Sequence, residues 1–157
     1  MIGQLIHRAS GEGKTHALLG DTYTILAHGD ETGGAYTLLE AMVPPGSGPP
    51  LHLHHREDES FYVIEGELTF HLAGEMITAG AGTFLQAPRQ TPHCFKNNSA
   101  APARALIFCA PSGFEKFVEE FPQLPSRKAP APAPTDADIA KVMELVSKYG
   151  LEILPPA

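Results

Sequence analysis

Residues 46–66 read GSGPPLHLHHREDESFYVIEG and carry three of the chain's eight histidines together with four acidic residues. In an extended strand, residues two apart project to the same side. His52 and His54 therefore share one face, while Leu53 and His55 take the other. That spacing suits two ligands of one metal ion. Glu59 follows the polar run Arg56-Glu57-Asp58, which reads as a turn outside the site, and it opens the next apolar run, SFYVIEG. If the two runs pair antiparallel, Glu59 swings back to the same ion. A fourth ligand comes from APRQTPHCFKN, where Pro88 and Pro92 bend the chain around His93. Alternation turns His55, His71 and Cys94 away from the face that the ligands use.

Outward from this stretch, the chain between Asp21 and Phe108 breaks into short runs rich in Val, Ile, Leu, Thr, Tyr and Phe, each bounded by Gly, Pro, Asp or Asn. The pattern predicts strands near residues 22–27, 35–43, 51–54, 60–65, 68–72, 75–78, 82–86, 93–96 and 103–109. No helical pattern separates them, so the expectation is all-β, an antiparallel sandwich or barrel. Glu65-Gly66-Glu67 reads as the turn of a hairpin, and Phe61, Val63, Phe70, Phe84 and Phe95 read as core.

After Pro111 the pattern changes. Ser112 and Glu115 have capping-box spacing, and Phe114, Phe117, Val118 and Phe121 fall on one helical face before Pro122 stops the helix. Residues 122–134 are a proline-rich connector. A second helix begins at Thr135 or Asp136, with Ile139, Val142, Met143 and Val146 as its apolar face and Gly150 as its C-terminal cap. That face is expected to cover the barrel or a partner subunit. The organisation is one domain: a barrel over residues 1–111 and a helical appendage over residues 112–157.

Composition excludes several functions. A net charge of −7 offers no clustered basic surface for a nucleic acid, and Arg127-Lys128 reads as part of a solvated linker. There is no apolar run of signal-peptide or membrane-spanning length, so the expectation is a cytoplasmic protein without membrane association. Cys94 and Cys109 fit that compartment as reduced strand residues. Gly11-Glu12-Gly13-Lys14-Thr15 imitates the end of a phosphate-binding loop, but Arg8 stands where the first glycine of that loop belongs.

The central stretch resembles the first motif of the cupin superfamily, G-x5-H-x-H-x4-E-x6-G, at Gly46, His52, His54, Glu59 and Gly66. The second motif, G-x5-P-x-G-x2-H-x3-N, is met by Gly82, Pro88, His93 and Asn97, with Gln90 in place of the internal glycine. That replacement costs about 1 kcal/mol if Gln90 has to adopt positive φ. The resemblance implies a double-stranded β-helix, or jelly-roll, barrel that binds one divalent transition metal ion through His52, His54, Glu59 and His93. It also implies homodimerisation. Three imidazoles and a carboxylate suit Fe, Mn, Co, Ni, Cu or Zn. Whole-chain features are similar to bacterial single-domain cupins resembling quercetin 2,3-dioxygenase. The leading expectation is a metal-dependent dioxygenase acting on a small oxygenated, aromatic or non-aromatic substrate, with Glu59 as general base. A metal-dependent isomerase, lyase or hydrolase is the first alternative, and a non-catalytic small-molecule binder or sensor the second. Arg89, beside the second motif, is either a loop residue or a contact for an anionic substrate.

Overall fold

The computed structural model describes residues 2–156. Apolar runs punctuated by turn residues become strands β1 (Lys14–Leu18), β2 (Asp21–Ala27), β3 (Thr37–Val43), β4 (His52–His54) and β5 (Asp58–Glu65). They continue as β6 (Glu67–Leu72), β7 (Glu75–Gly80), β8 (Phe84–Ala87), β9 (His93–Lys96) and β10 (Ala103–Ala110). Helix α1 (Phe114–Val118), strand β11 (Gln123–Leu124), helix α2 (Asp136–Leu145), a 3-10 turn (Val146–Tyr149) and strand β12 (Leu151–Ile153) follow. Two facing antiparallel sheets result, in the orders β11-β1-β2-β3-β10-β5-β8 and β12-β4-β9-β6-β7. This is a jelly-roll sandwich. Every strand expected between residues 22 and 109 is present, whereas β1, β11 and β12 were not foreseen.

The core lies between the sheets. Phe61 of one sheet meets Phe70 and Phe95 of the other with ring centroids 5.0 and 6.0 Å apart, in edge-on arrangements that aromatic quadrupoles favour. Leu39, Val43, Val63, Leu68 and Ile107 fill the space around them and are buried. Phe84 is not core: it sits on the outer face of β8 opposite Tyr62 and is 60% exposed.

Two pairings expected from the sequence do not form. β5 pairs with β10 and β8, whereas β6 pairs with β7 and β9, so Gly66 is a corner between sheets rather than a hairpin turn. The corner needs glycine. Gly66 has φ +76°, and a Cβ there would stand 2.6 Å from the carbonyl oxygen of Pro102. β4 likewise pairs with β9 and β12 instead of β5, which places the HLH stretch and Glu59 in opposite sheets.

The C-terminal segment wraps one end of the sandwich. Phe114, Phe117, Val118 and Phe121 are buried as expected. Ser112 and Glu115 form no capping box, because Gly113 is the N-cap and no side chain caps the helix. Glu115 is turned inward, fully buried, where it accepts hydrogen bonds from the Gly29 and Gly113 amides and the Thr37 hydroxyl. Three backbone and side-chain groups from three segments are thereby tied to one carboxylate. The connector is held too: β11 pairs with β1, and Arg127 donates to buried Glu40 at 2.8 Å, so this arginine is not part of a solvated linker. Thr135 caps α2 in a capping box with Asp138, and Gly150 takes the left-handed conformation after the 3-10 turn. Val142 and Val146 are buried, while Ile139 and Met143 stay half exposed. β12 then adds to β4, with Leu151 opposite His54 and Ile153 opposite His52.

Candidate metal centre

β4 holds His52 and His54, and its neighbour β9 holds His93 directly opposite His52 in register. All three imidazoles therefore come from the five-stranded sheet. Glu59 projects toward them from β5, in the seven-stranded sheet. One ligand atom from each of the four residues lies within 4.8 Å of the others. An ion at their centre would join the two sheets across the core.

The ring orientations suit that role. His52 Nδ1 lies 2.8 Å from the Pro50 carbonyl, His93 Nδ1 lies 2.8 Å from the Thr91 carbonyl, and His54 Nδ1 lies 3.3 Å from Glu57 Oε1. With each Nδ1 occupied as a donor to an outer acceptor, each Nε2 keeps its lone pair for an ion. Glu59 Oε2 stands 2.7 Å from His93 Nε2 and 2.8 Å from His54 Nε2. The His54 Nε2 atom is nevertheless buried without a hydrogen-bond partner. An orphaned imidazole nitrogen aimed at a buried carboxylate is the feature a bound cation would explain. Three neutral imidazoles and a carboxylate fit a divalent transition ion.

The electrostatics agree. Burial and the neighbouring imidazoles push His52 down to about 3. Burial also opposes charge on His54, yet the Glu59 and Glu57 carboxylates outweigh it and lift the group to about 9. Burial alone would raise Glu59, but His54 and His93 hold its carboxyl well below the usual range. The cluster thus binds positive charge tightly, and a metal cation can take the proton's place.

Glu57 was read from the sequence as part of a polar turn, and the structure corrects this. Its side chain is buried and faces His54, a carboxylate–histidine pair of the kind that orients metal ligands. His55 and Arg56 do turn outward, His55 to Glu152 at 2.9 Å and Arg56 to the Lys148 carbonyl at 3.2 Å. His71 and Cys94 are opposed on the outer face of β6 and β9, away from the ligands. Both cysteines are free. Arg89 is exposed and forks onto Asp58, so its charge is already matched.

Gln90 occupies the left-handed region at φ +65°. The replacement of the motif glycine therefore retains the glycine conformation, at a cost of about 1 kcal/mol. The turn links the two halves of the site, because the Gln90 amide donates to the His54 carbonyl at 2.6 Å. Asn97 is structural. Its amide nitrogen donates to the Val43 and Ala101 carbonyls, and its oxygen accepts from the Ser99 amide and hydroxyl.

A cavity of about 50 Å3 adjoins His52, His54 and Glu59. Its apolar walls include Phe114 and Phe117 of α1, Val142 of α2 and Leu151 of β12, so the C-terminal segment closes the end of the sandwich nearest the ligands. Tyr23 and Asp21 also reach it. None of these wall residues was singled out as part of the site from the sequence. A wider groove of about 640 Å3 on the outer side shares Pro49, Pro50, Val142 and Ile153 with the cavity and leads toward it.

Residues 39–109 match the cupin domain family, a span that contains His52, His54, Glu59 and His93. Over 90 residues, or 57% of this chain, the sequence is 30% identical to quercetin 2,3-dioxygenase of Bacillus subtilis, covering 27% of that protein. Over 75 residues, or 48% of this chain, it is 33% identical to an uncharacterised protein of Methanocaldococcus jannaschii, covering 60% of it. The chain thus spans less than two thirds of either curated relative. Among solved structures, KdgF from Halomonas sp. superposes with a TM-score of 0.62 over 73% of this chain and 98% of its own, at 19% identity, a likeness of fold.

Proposed function

Because the chain belongs to the cupin superfamily and directs three histidines and a glutamate at one point beside a largely apolar cavity, we propose that it is a metal-dependent, dioxygenase-like enzyme for a small oxygenated substrate. The observation that carries the reading is this junction of ligand cluster and cavity. Ligands sealed on all sides would serve structure alone, whereas these adjoin space for a reactant.

When bound, a divalent transition metal supplies a binding point for substrate oxygens and for dioxygen. The chain supplies the rest. His52, half-buried on the cavity side, and buried His54 and His93 fix the direction of approach. Glu59 is held as a carboxylate, so Oε2 can accept a proton from an acidic substrate hydroxyl. Apolar walls exclude water and raise the strength of that interaction. Small-molecule pockets for drug-sized ligands are about 300–1,000 Å3. A cavity of about 50 Å3 therefore favours a short enediol or hydroxy acid over an aromatic polyol, unless the C-terminal segment moves aside.

Oxygen uptake by the metal-loaded protein, assayed across enediols, catechols, flavonols and short hydroxy acids, tests the reading. Uptake that requires both metal and Glu59 supports it. Turnover that persists without oxygen would replace it with an isomerase, lyase or hydrolase, and a bound ligand recovered unchanged would replace it with a binding protein. We place the protein in the cytoplasm as a homodimer. The outer face of the seven-stranded sheet supports a contact between copies, because Tyr62 and Phe84 are exposed cross-strand partners and Phe108 stacks on Tyr36 beside them. Sedimentation should return twice the 16.8 kDa chain mass.

A further inference from the structure

The cavity beside the histidines has a second polar end. Asp21 opens β2 and shares the inward face of that strand with Tyr23 and Ile25. It is 1% exposed, and it lines the cavity together with His52, His54 and Glu59.

Its hydrogen bonding is incomplete. The Ser47 hydroxyl donates to Oδ1 at 2.5 Å. Oδ2 meets only the Tyr23 hydroxyl, at 3.4 Å, beyond the range of a good O–H···O bond. No Lys, Arg or His forms an ion pair with it among the described residues. A buried carboxyl with one short bond and no cation is costly to the fold, and an apolar residue there would pack without that cost. Glu115 and Glu40, the buried carboxylates that do serve the fold, are bonded by several donors each. Asp21 is the contrast.

We infer that Asp21, with Tyr23 beside it, forms the specificity end of the site, where Oδ2 shares a hydrogen bond with a hydroxyl group of the substrate while the substrate's other oxygens lie at the histidine cluster. The assignment rests on the metal-dependent reading above, and it adds a chemical class. The ligand is a short molecule with a carboxylate or enediol at one end, an apolar middle and a hydroxyl at the other, small enough for a cavity of about 50 Å3. Burial pushes Asp21 up to about 7, so near neutral pH it can either give or take the shared proton. Burial, followed by the Asp21 and Glu59 charges, keeps the Tyr23 phenol protonated and able to donate.

Cobalt(II)-loaded full-length protein provides the test, because ligand binding at the metal changes its visible spectrum. Titration with 3-hydroxypropanoate and with propanoate isolates the hydroxyl. The wild type is expected to bind the hydroxylated probe at least tenfold more tightly, and Asp21→Leu, which keeps the branched outline without the polar atoms, to lose that preference while retaining cobalt affinity. Asp21→Ala carries the same expectation should the leucine variant not fold. Equal binding of the two probes by the wild type, or a preference that survives in the variants, overturns the assignment and leaves the metal reading intact. Failure of cobalt to load at the histidines overturns both.

Discussion

Replacing Asp21 with asparagine should stabilise the protein in a pH-dependent manner. Burial raises this carboxyl from 3.8 to about 7, a difference of about 3 pH units. At 1.36 kcal/mol per unit, holding the ionised form in the fold costs about 4 kcal/mol. The folded state binds the proton more tightly than the unfolded state. The wild type therefore has its full stability from this group below pH 3.8 and loses it as the pH rises through 7. Asparagine preserves the shape and the acceptor for Ser47 but cannot ionise. The variant's advantage should be near its minimum at pH 4, about 1 kcal/mol larger at pH 5, and level off about 4 kcal/mol larger above pH 8. Urea denaturation of metal-free protein at those pH values measures it. The other titrating groups are common to both proteins and largely cancel in the difference. A difference that stays flat between pH 4 and 8.5, or a variant that becomes relatively less stable as the pH rises, would refute the reasoning.

Other perturbations address the ligand cluster and its supports. Glu57→Ala should weaken metal binding about 10- to 100-fold in a chelator competition, because His54 loses the acceptor that orients it, and Glu57→Gln should recover part of the loss. Asn97→Ala should cost about 3 kcal/mol in urea denaturation, since the buried amide bonds two carbonyls and two Ser99 donors that would be left unmatched. Saturation with a cognate divalent ion at 100 times its dissociation constant should raise stability by about 2.7 kcal/mol, and chelation should reverse the gain.

The strand alternation through His52-Leu53-His54 and the turn residues between apolar runs made the sheet architecture and the clustering of His52, His54, Glu59 and His93 legible, because both depend on local periodicity. The pairing of strands was less so. Gly66 separates two alternating runs as a hairpin glycine would, and nothing within those runs reveals that the chain changes sheet there; the requirement comes from Pro102, more than thirty residues away. Glu57 was hidden by its neighbours. In RED it looks like solvent-facing charge, and its burial depends on the chain turning inward after His54. Ser112 and Glu115 show the converse, a valid local motif overridden because the Gly29 amide and Thr37 hydroxyl compete for the same carboxylate. Strand β12 and the cavity wall at Leu151 depend on docking against β4, a long-range event with little local signature.

The most direct test of the metal centre is anomalous diffraction at the absorption edge of the ion carried by crystals of the metal-loaded protein. The account predicts one ion bound by the Nε2 atoms of His52, His54 and His93 and by the Glu59 carboxylate, with an open coordination position facing the cavity that Asp21 lines. An ion held elsewhere, or a loaded protein with no anomalous peak among these four residues, would contradict it.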